Sequence, residues 1–145
     1  MIYVDTSVWV ALMTPETGTA QVETWFRSNA EPLVSADWTL TEFHSAIAIK
    51  TRTGQVSPDQ AGEVLALFER LTTGGLTLIP ISRVAYRAAA ELVDDYRQGL
   101  RGADALHLAV AQELGLQRFA TLDRNQSLNA RRLGLTLELP LLQGL

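Results

Sequence analysis

Residues 1–12 read MIYVDTSVWVAL: an apolar run, a carboxylate followed by two hydroxyls, and a second apolar run. Both flanks want burial, so Asp5 must lie at an edge of the core, be paired, or bind something. The pattern also suggests how the chain begins to fold. Ile2 to Val4 is a short buried strand, Ser7 is the expected N-cap of a helix starting at Val8, and Pro15 ends that helix.

The same alternation continues along the chain. A helix is predicted from Thr19 to Ser28, with Val22, Trp25 and Phe26 at helical spacing, and "PLVSA" then returns as a strand. The next helix runs from Thr39 to Thr53 and carries Glu42, with Leu40, Phe43 and Ile47 along one face. "SPDQ" is a strong helix start: Ser57 caps, Pro58 takes the first helical position and Gln60 closes a capping box. "GGLTLIPIS" gives a strand, Ser82 caps a helix reaching about Gln98, and Gly99 to Gly102 break it. "ADALHLAVAQELG" is helical, "QRFATL" is a strand ending at Asp123, a short helix covers about Ser127 to Leu133, and "LTLEL" is the fifth strand. Strands separated by helices imply a mainly parallel sheet of about five strands covered on both faces, a three-layer α/β/α sandwich forming one domain over residues 1–145. Such sheets take ligands at the carboxyl ends of their strands. Asp5 and Asp123 each follow a strand directly and are expected at that edge.

Composition narrows the function. The chain has 145 residues, 47% hydrophobic and 19% charged, and no cysteine. Zinc–thiolate sites, disulfides and thiol nucleophiles are therefore excluded. No apolar run approaches the roughly 18 residues of a membrane span, and no basic-then-apolar leader follows Met1, so a cytoplasmic location is expected. The formal charge is −4, but without Asp5, Glu42, Asp104 and Asp123 the acidic and basic residues balance. All basic residues except Lys50 are Arg, whose planar fork suits phosphate.

Taken singly, each of the four acids has an ordinary explanation. Asp5 and Asp123 could stabilise turns, Asp104 lies in the first turn of a helix, and Glu42 could be a solvated helix residue. Together, two stand at the ligand-binding edge and two lie near helix starts that could open onto it. Carboxylates gathered there repel one another unless protonated or bridged by a cation, and hard oxygen donors select Mg²⁺ or Mn²⁺.

Four segments carry a family resemblance: "VDTSVWVAL" (4–12), "LTEFHSAI" (40–47), "RGADALHLAVA" (101–111) and "FATLDRN" (119–125). In order and spacing the chain resembles PIN-domain nucleases, and in length the VapC-type toxins among them. The resemblance covers nearly the whole chain. It implies a metal-dependent endoribonuclease with Asp5, Glu42, Asp104 and Asp123 as catalytic and metal-binding residues and Mg²⁺ or Mn²⁺ as cofactor. Ser7 and Thr121 would be supporting hydroxyls. It further implies an RNA substrate, a VapB-like antitoxin partner and a homodimer. One departure is that "RNQSLNARRLG" lacks the aromatic often found after the last acidic motif, a place Leu128 would fill.

Arg97, Arg101 and Arg124 flank the expected mouth, where they would hold RNA phosphates or form a solvated rim. His107 falls three residues after Asp104, but in so apolar a helix a hydrogen-bonded core role is expected. His44 faces away from Glu42, and Trp9, Trp25 and Trp38 are read as core or interface residues. A phosphatase of the haloacid dehalogenase type needs a second Asp two positions after the first, where Ser7 stands, and a receiver domain needs an adjacent acidic pair. The remaining alternative is a PIN-like domain that binds RNA or protein without cutting.

Overall fold

The computed structural model describes residues 1–140; the last five residues of the expected domain lie outside them. Five strands, β1 (Ile2–Val4), β2 (Leu33–Ala36), β3 (Leu76–Ile79), β4 (Arg118–Ala120) and β5 (Thr136–Leu137), form a parallel sheet in the order β3-β2-β1-β4-β5. Seven helices connect them: α1 (Thr6–Met13), α2 (Thr19–Ser28), α3 (Trp38–Arg52), α4 (Pro58–Gly74), α5 (Arg83–Asp94), α6 (Gly102–Glu113) and α7 (Arg124–Arg132).

Because side chains alternate across a strand, β1 feeds two cores. Ile2 and Val4 join Trp9, Phe43, Ile47 and Phe68 under α1 to α4, while Tyr3 joins Leu108, Val110 and Phe119 under α5 to α7. The three-layer expectation therefore holds. The chain leaves β1 toward β2 and β3, then returns past β1 to β4 and β5, so the order reverses between β1 and β4. Asp5 N–H donates to the Ala120 carbonyl (3.0 Å) at that junction.

The capping box at Ser57 and Gln60 forms in both directions, with Pro58 opening α4. Three helix boundaries differ from the sequence reading. The cap of α1 is Asp5 rather than Ser7, and the helix starts at Thr6: Asp5 accepts from the Ser7 backbone N–H, while the Ser7 hydroxyl is committed to other partners. Likewise α7 starts at Arg124 rather than Ser127, because the Asp123 carboxylate accepts from the Gln126 N–H at 2.7 Å. Finally, α5 stops at Asp94. The Asp95 carboxylate captures Arg97 Nε and Gln98 Nε2, leaving a single 3₁₀ turn at Tyr96–Gln98. Gly99 then reverses the chain at φ 62°, a conformation that favours glycine. Leu128 is 45% exposed and does not fill the place of the missing aromatic, since the inner face of α7 is occupied by Gln126, Ser127, Asn129 and Ala130.

Candidate metal centre

Asp5 is held at the end of β1 by its own local sequence. Its Oδ1 accepts from the Ser7 backbone N–H (3.1 Å) and the Ser7 hydroxyl (2.5 Å), while Ser7 Oγ accepts from the Leu122 N–H (2.9 Å). One serine thus fastens the first acid to the loop after β4. Thr121 Oγ1 lies 3.4 Å from Ser7 Oγ and accepts from the Asp123 N–H at 3.1 Å. The Ser7 and Thr121 hydroxyls thus lie beside Asp5 and the loop of Asp123.

Glu42 sits one turn into α3, which brings it back to the same edge. Its Oε1 accepts from Thr6 Oγ1 (2.7 Å) and pairs with His107 Nε2 (2.5 Å). The Asp104 carboxylate, in the first turn of α6, accepts no hydrogen bond among the described residues and is only half-buried. Asp123 is exposed and spends one oxygen on capping α7. Among the described residues Glu42 and Asp123 each use a single oxygen for structure and leave the second without a hydrogen-bond partner, while Asp5 is held through Oδ1 by Ser7 and is also hydrogen-bonded by the Thr121 side chain.

The acids act on one another in pairs: Asp104 on Asp5, and Asp123 and Glu42 on Asp104. Burial pushes the Asp5 carboxyl up to about 6; the charges or hydrogen bonds of His107, Ser7 and Thr121 oppose the rise, and Asp104 adds to it. Asp104 is also raised, first by burial, then by repulsion from Asp123 and Glu42, against the pull of His107 and Arg101. Burial is likewise the main reason that the Tyr3 phenol lies well above its ordinary range.

These residues suit a hard divalent cation. Among the described residues no three acid or histidine side chains converge closely enough to form a ligand shell by themselves. Mg²⁺ keeps several waters and uses one or two carboxylates, so an open set of partnerless carboxylate oxygens fits it better than a closed cage would.

A family model described as the PIN domain matches residues 2–131. The chain belongs to the PIN-domain family. Among solved structures, this PIN domain resembles Mycobacterium tuberculosis VapC20, described as a sarcin–ricin loop cleaving toxin. The TM-score is 0.72 at 22% identity, over 88% of this chain and 94% of that one. It also resembles FitAcB from Neisseria gonorrhoeae (TM-score 0.67, 20% identity, 94% and 96% covered) and a toxin–antitoxin complex from Klebsiella pneumoniae (0.59, 17%, 85% and 87%). No curated protein sequence is significantly similar to the chain. At these identities the structural likenesses establish the fold.

The arginines are placed unequally. Arg101 immediately precedes α6 and its charge reaches Asp104; Arg124 adjoins Asp123. Arg97 is exposed but tied to Asp95. Its turn is docked on α7 by Asn125 Nδ2 to the Gly99 carbonyl (2.7 Å) and Asn129 Nδ2 to the Gln98 carbonyl (3.2 Å). His44 is exposed in a groove between α3 and α4, away from the acids, and Trp9 is core, its Nε1 donating to Ser35 Oγ. No helix among the described residues is long and apolar enough to cross a membrane.

The sequence reading anticipated a buried, hydrogen-bonded His107 but not that its partners would be Glu42 and Tyr3. A signal was present: Tyr3 is a phenol inside the aliphatic strand Ile2–Val4, and a buried phenol needs a hydrogen-bond partner. Gln126 was also missed. It is fully buried, and its Nε2 donates to the Asp104 carbonyl (3.1 Å), linking the loop of Asp123 to the helix of Asp104.

Proposed function

We propose that this PIN domain is a metal-dependent endoribonuclease, the toxin of a toxin–antitoxin pair, which hydrolyses RNA phosphodiesters to 5′-phosphate and 3′-hydroxyl ends. The observation that supports the reading is Asp5 at the β1/β4 switch point, acted on by the charge of Asp104, which is in turn acted on by those of Asp123 and Glu42. The names of the similar structures, a sarcin–ricin loop cleaving toxin and a toxin–antitoxin complex, support the substrate class and the partner.

Asp5 and Asp104 would be the principal holders of Mg²⁺ or Mn²⁺, with Glu42 and Asp123 acting through water. The ion, when bound, supplies a more acidic attacking water and neutralises charge on the phosphoryl group. Ser7 fixes the carboxylate plane of Asp5, and Thr121 holds the loop that ends in Asp123. Arg101 and Arg124 would receive RNA phosphates on either side of the acids, and Arg97 would do so from the docked turn. A VapB-like antitoxin and a homodimer complete the proposal.

RNA cleavage by the antitoxin-free protein should require Mg²⁺ or Mn²⁺, stop in chelator, and be lost in Asp104→Asn. A protein that binds RNA but cleaves none with either metal would favour the non-catalytic alternative. Light scattering after size exclusion should give twice the chain mass; a monomer at micromolar concentration would contradict the dimer.

A further inference from the structure

Two buried residues without a role in the chemistry above, Tyr3 and His107, form a polar chain that ends on Glu42. The Ala36 backbone N–H donates to Tyr3 Oη (3.1 Å), Tyr3 Oη lies 2.6 Å from His107 Nδ1, and His107 Nε2 lies 2.5 Å from Glu42 Oε1. Tyr3 is fully buried and His107 is 1% exposed. The phenol ring is itself clamped, stacked on Phe119 with centroids 5.2 Å apart and edge-on to His107 at 5.7 Å. The chain joins β2, β1, α6 and α3, reaching from the core under α5 to α7 to an acid carried by a helix of the opposite layer.

Hydrogen accounting gives the chain a direction. Tyr3 Oη accepts from the Ala36 N–H and has His107 Nδ1 as its other partner, to which its own hydrogen can be given. An Nδ1 that accepts leaves the proton of a neutral imidazole on Nε2, where it is donated to Glu42. Thr6 donates to the same oxygen, Oε1. Two donors therefore fix one oxygen of Glu42, whose side chain is 24% exposed, while Oε2 has no hydrogen-bond partner among the described residues. A glutamate has three rotatable bonds, and without these donors its carboxylate would be free to turn.

We propose that His107 is a positioning residue: through Nε2–H it holds Glu42 Oε1 so that Oε2 is presented to the metal centre, and Tyr3 secures the histidine in the orientation and tautomer that this requires. The inference rests on the metal-centre reading above. A histidine whose other ring nitrogen is fixed by a second hydrogen bond orients what it touches, and outer partners of this kind typically change metal affinity or activity by roughly 10–100-fold.

The test is Mn²⁺ binding by calorimetry on the full chain, with RNA cleavage and thermal melting measured in parallel for His107→Leu, His107→Gln and Tyr3→Phe. His107→Leu should weaken Mn²⁺ binding roughly 10-fold or more and lower kcat, with KM for RNA unchanged. His107→Gln, whose amide can still donate toward Glu42, should recover most of both losses. Tyr3→Phe should fall between them, because Thr6 still donates to Oε1. Unchanged Mn²⁺ affinity and kcat in a folded His107→Leu would overturn the inference and leave the metal centre standing. If His107→Leu does not fold, unchanged Mn²⁺ affinity in a folded Tyr3→Phe overturns it instead. Wild-type protein that neither binds Mn²⁺ nor cleaves RNA would overturn the proposed function, and this inference with it.

Discussion

Asp5 and Asp104 belong to the same acidic cluster, yet the fold treats them in opposite ways. Asp5 is 4% exposed, caps α1, and is tied through Ser7 to the loop after β4. Asp104 is half-buried and its carboxylate accepts no hydrogen bond among the described residues, with the charge of Arg101 nearby. One wall of the site is thus wired in advance, with Asp5 and Glu42 each fixed by hydrogen bonds. The other wall is looser, formed by Asp104 and the exposed cap Asp123. On the proposed metal-centre reading, the fixed wall would define where a cation sits, and the freer carboxylate would follow the charge and geometry changes of phosphate cleavage. Pre-organisation is therefore least at Asp104, since Asp123 is also held through one oxygen by the Gln126 N–H.

The largest effect is expected on the looser wall. Asp104→Asn should leave melting temperature unchanged or higher and reduce cleavage by more than about 100-fold, beyond what loss of an outer partner costs; a variant within tenfold of wild type would remove Asp104 from the site. On the wired wall, Ser7→Ala deletes a hydroxyl that serves Asp5 and leaves the Leu122 N–H without its acceptor. It should cost roughly 1–3 kcal/mol in denaturant unfolding and about 10–100-fold in cleavage. If stability falls while cleavage holds, Ser7 supports the fold and not the metal centre.

The contrast also has a pH signature. Asp5 titrates near 6 in the folded protein, raised from 3.8. Between those values the folded chain holds a proton that the unfolded chain has released. Metal-free stability should therefore fall as pH rises from about 4 to about 6 and stay lower above it, a penalty of roughly 3 kcal/mol at most. Asp5→Asn keeps an acceptor for Ser7 and removes the charge, so it should flatten that slope and raise the melting temperature in chelator at pH 7.5. A destabilised variant under those conditions would contradict the burial of an unpaired charge. The smallest effects belong to the rim. Arg101→Ala and Arg124→Ala should each raise KM a few-fold and reduce the salt dependence of RNA binding by about one phosphate contact, with kcat little changed.

The sheet, its parallel order and its two covered faces were legible because short apolar strands alternate with helices whose starts are well marked, as at Ser57-Pro58. The edge position of Asp5 and Asp123 followed from the same pattern. Less legible was that these two acids are themselves the helix caps. The sequence offers Ser7 as a rival at α1, and only its three-dimensional commitment to Leu122 settles the competition; at α7 the helix start moves back to Arg124 because Asp123 takes the Gln126 N–H. The structural and functional explanations of Asp5 and Asp123 are therefore not alternatives, since a carboxylate has acceptor sites for each. The bonds from Tyr3 through His107 to Glu42 span 104 and 65 positions of sequence, and no local periodicity reports contacts between side chains so far apart.

The central claim, that the four acids hold a catalytic cation, is tested most directly by mass spectrometry of the ends of the cut RNA, with Mg²⁺ and in chelator. A water-driven displacement leaves 5′-phosphate and 3′-hydroxyl termini that form only with the metal present and persist when the adjacent 2′-hydroxyl is methylated in an RNA that still binds. Cyclic 2′,3′-phosphate termini produced in chelator would contradict the assignment of Asp5, Glu42, Asp104 and Asp123.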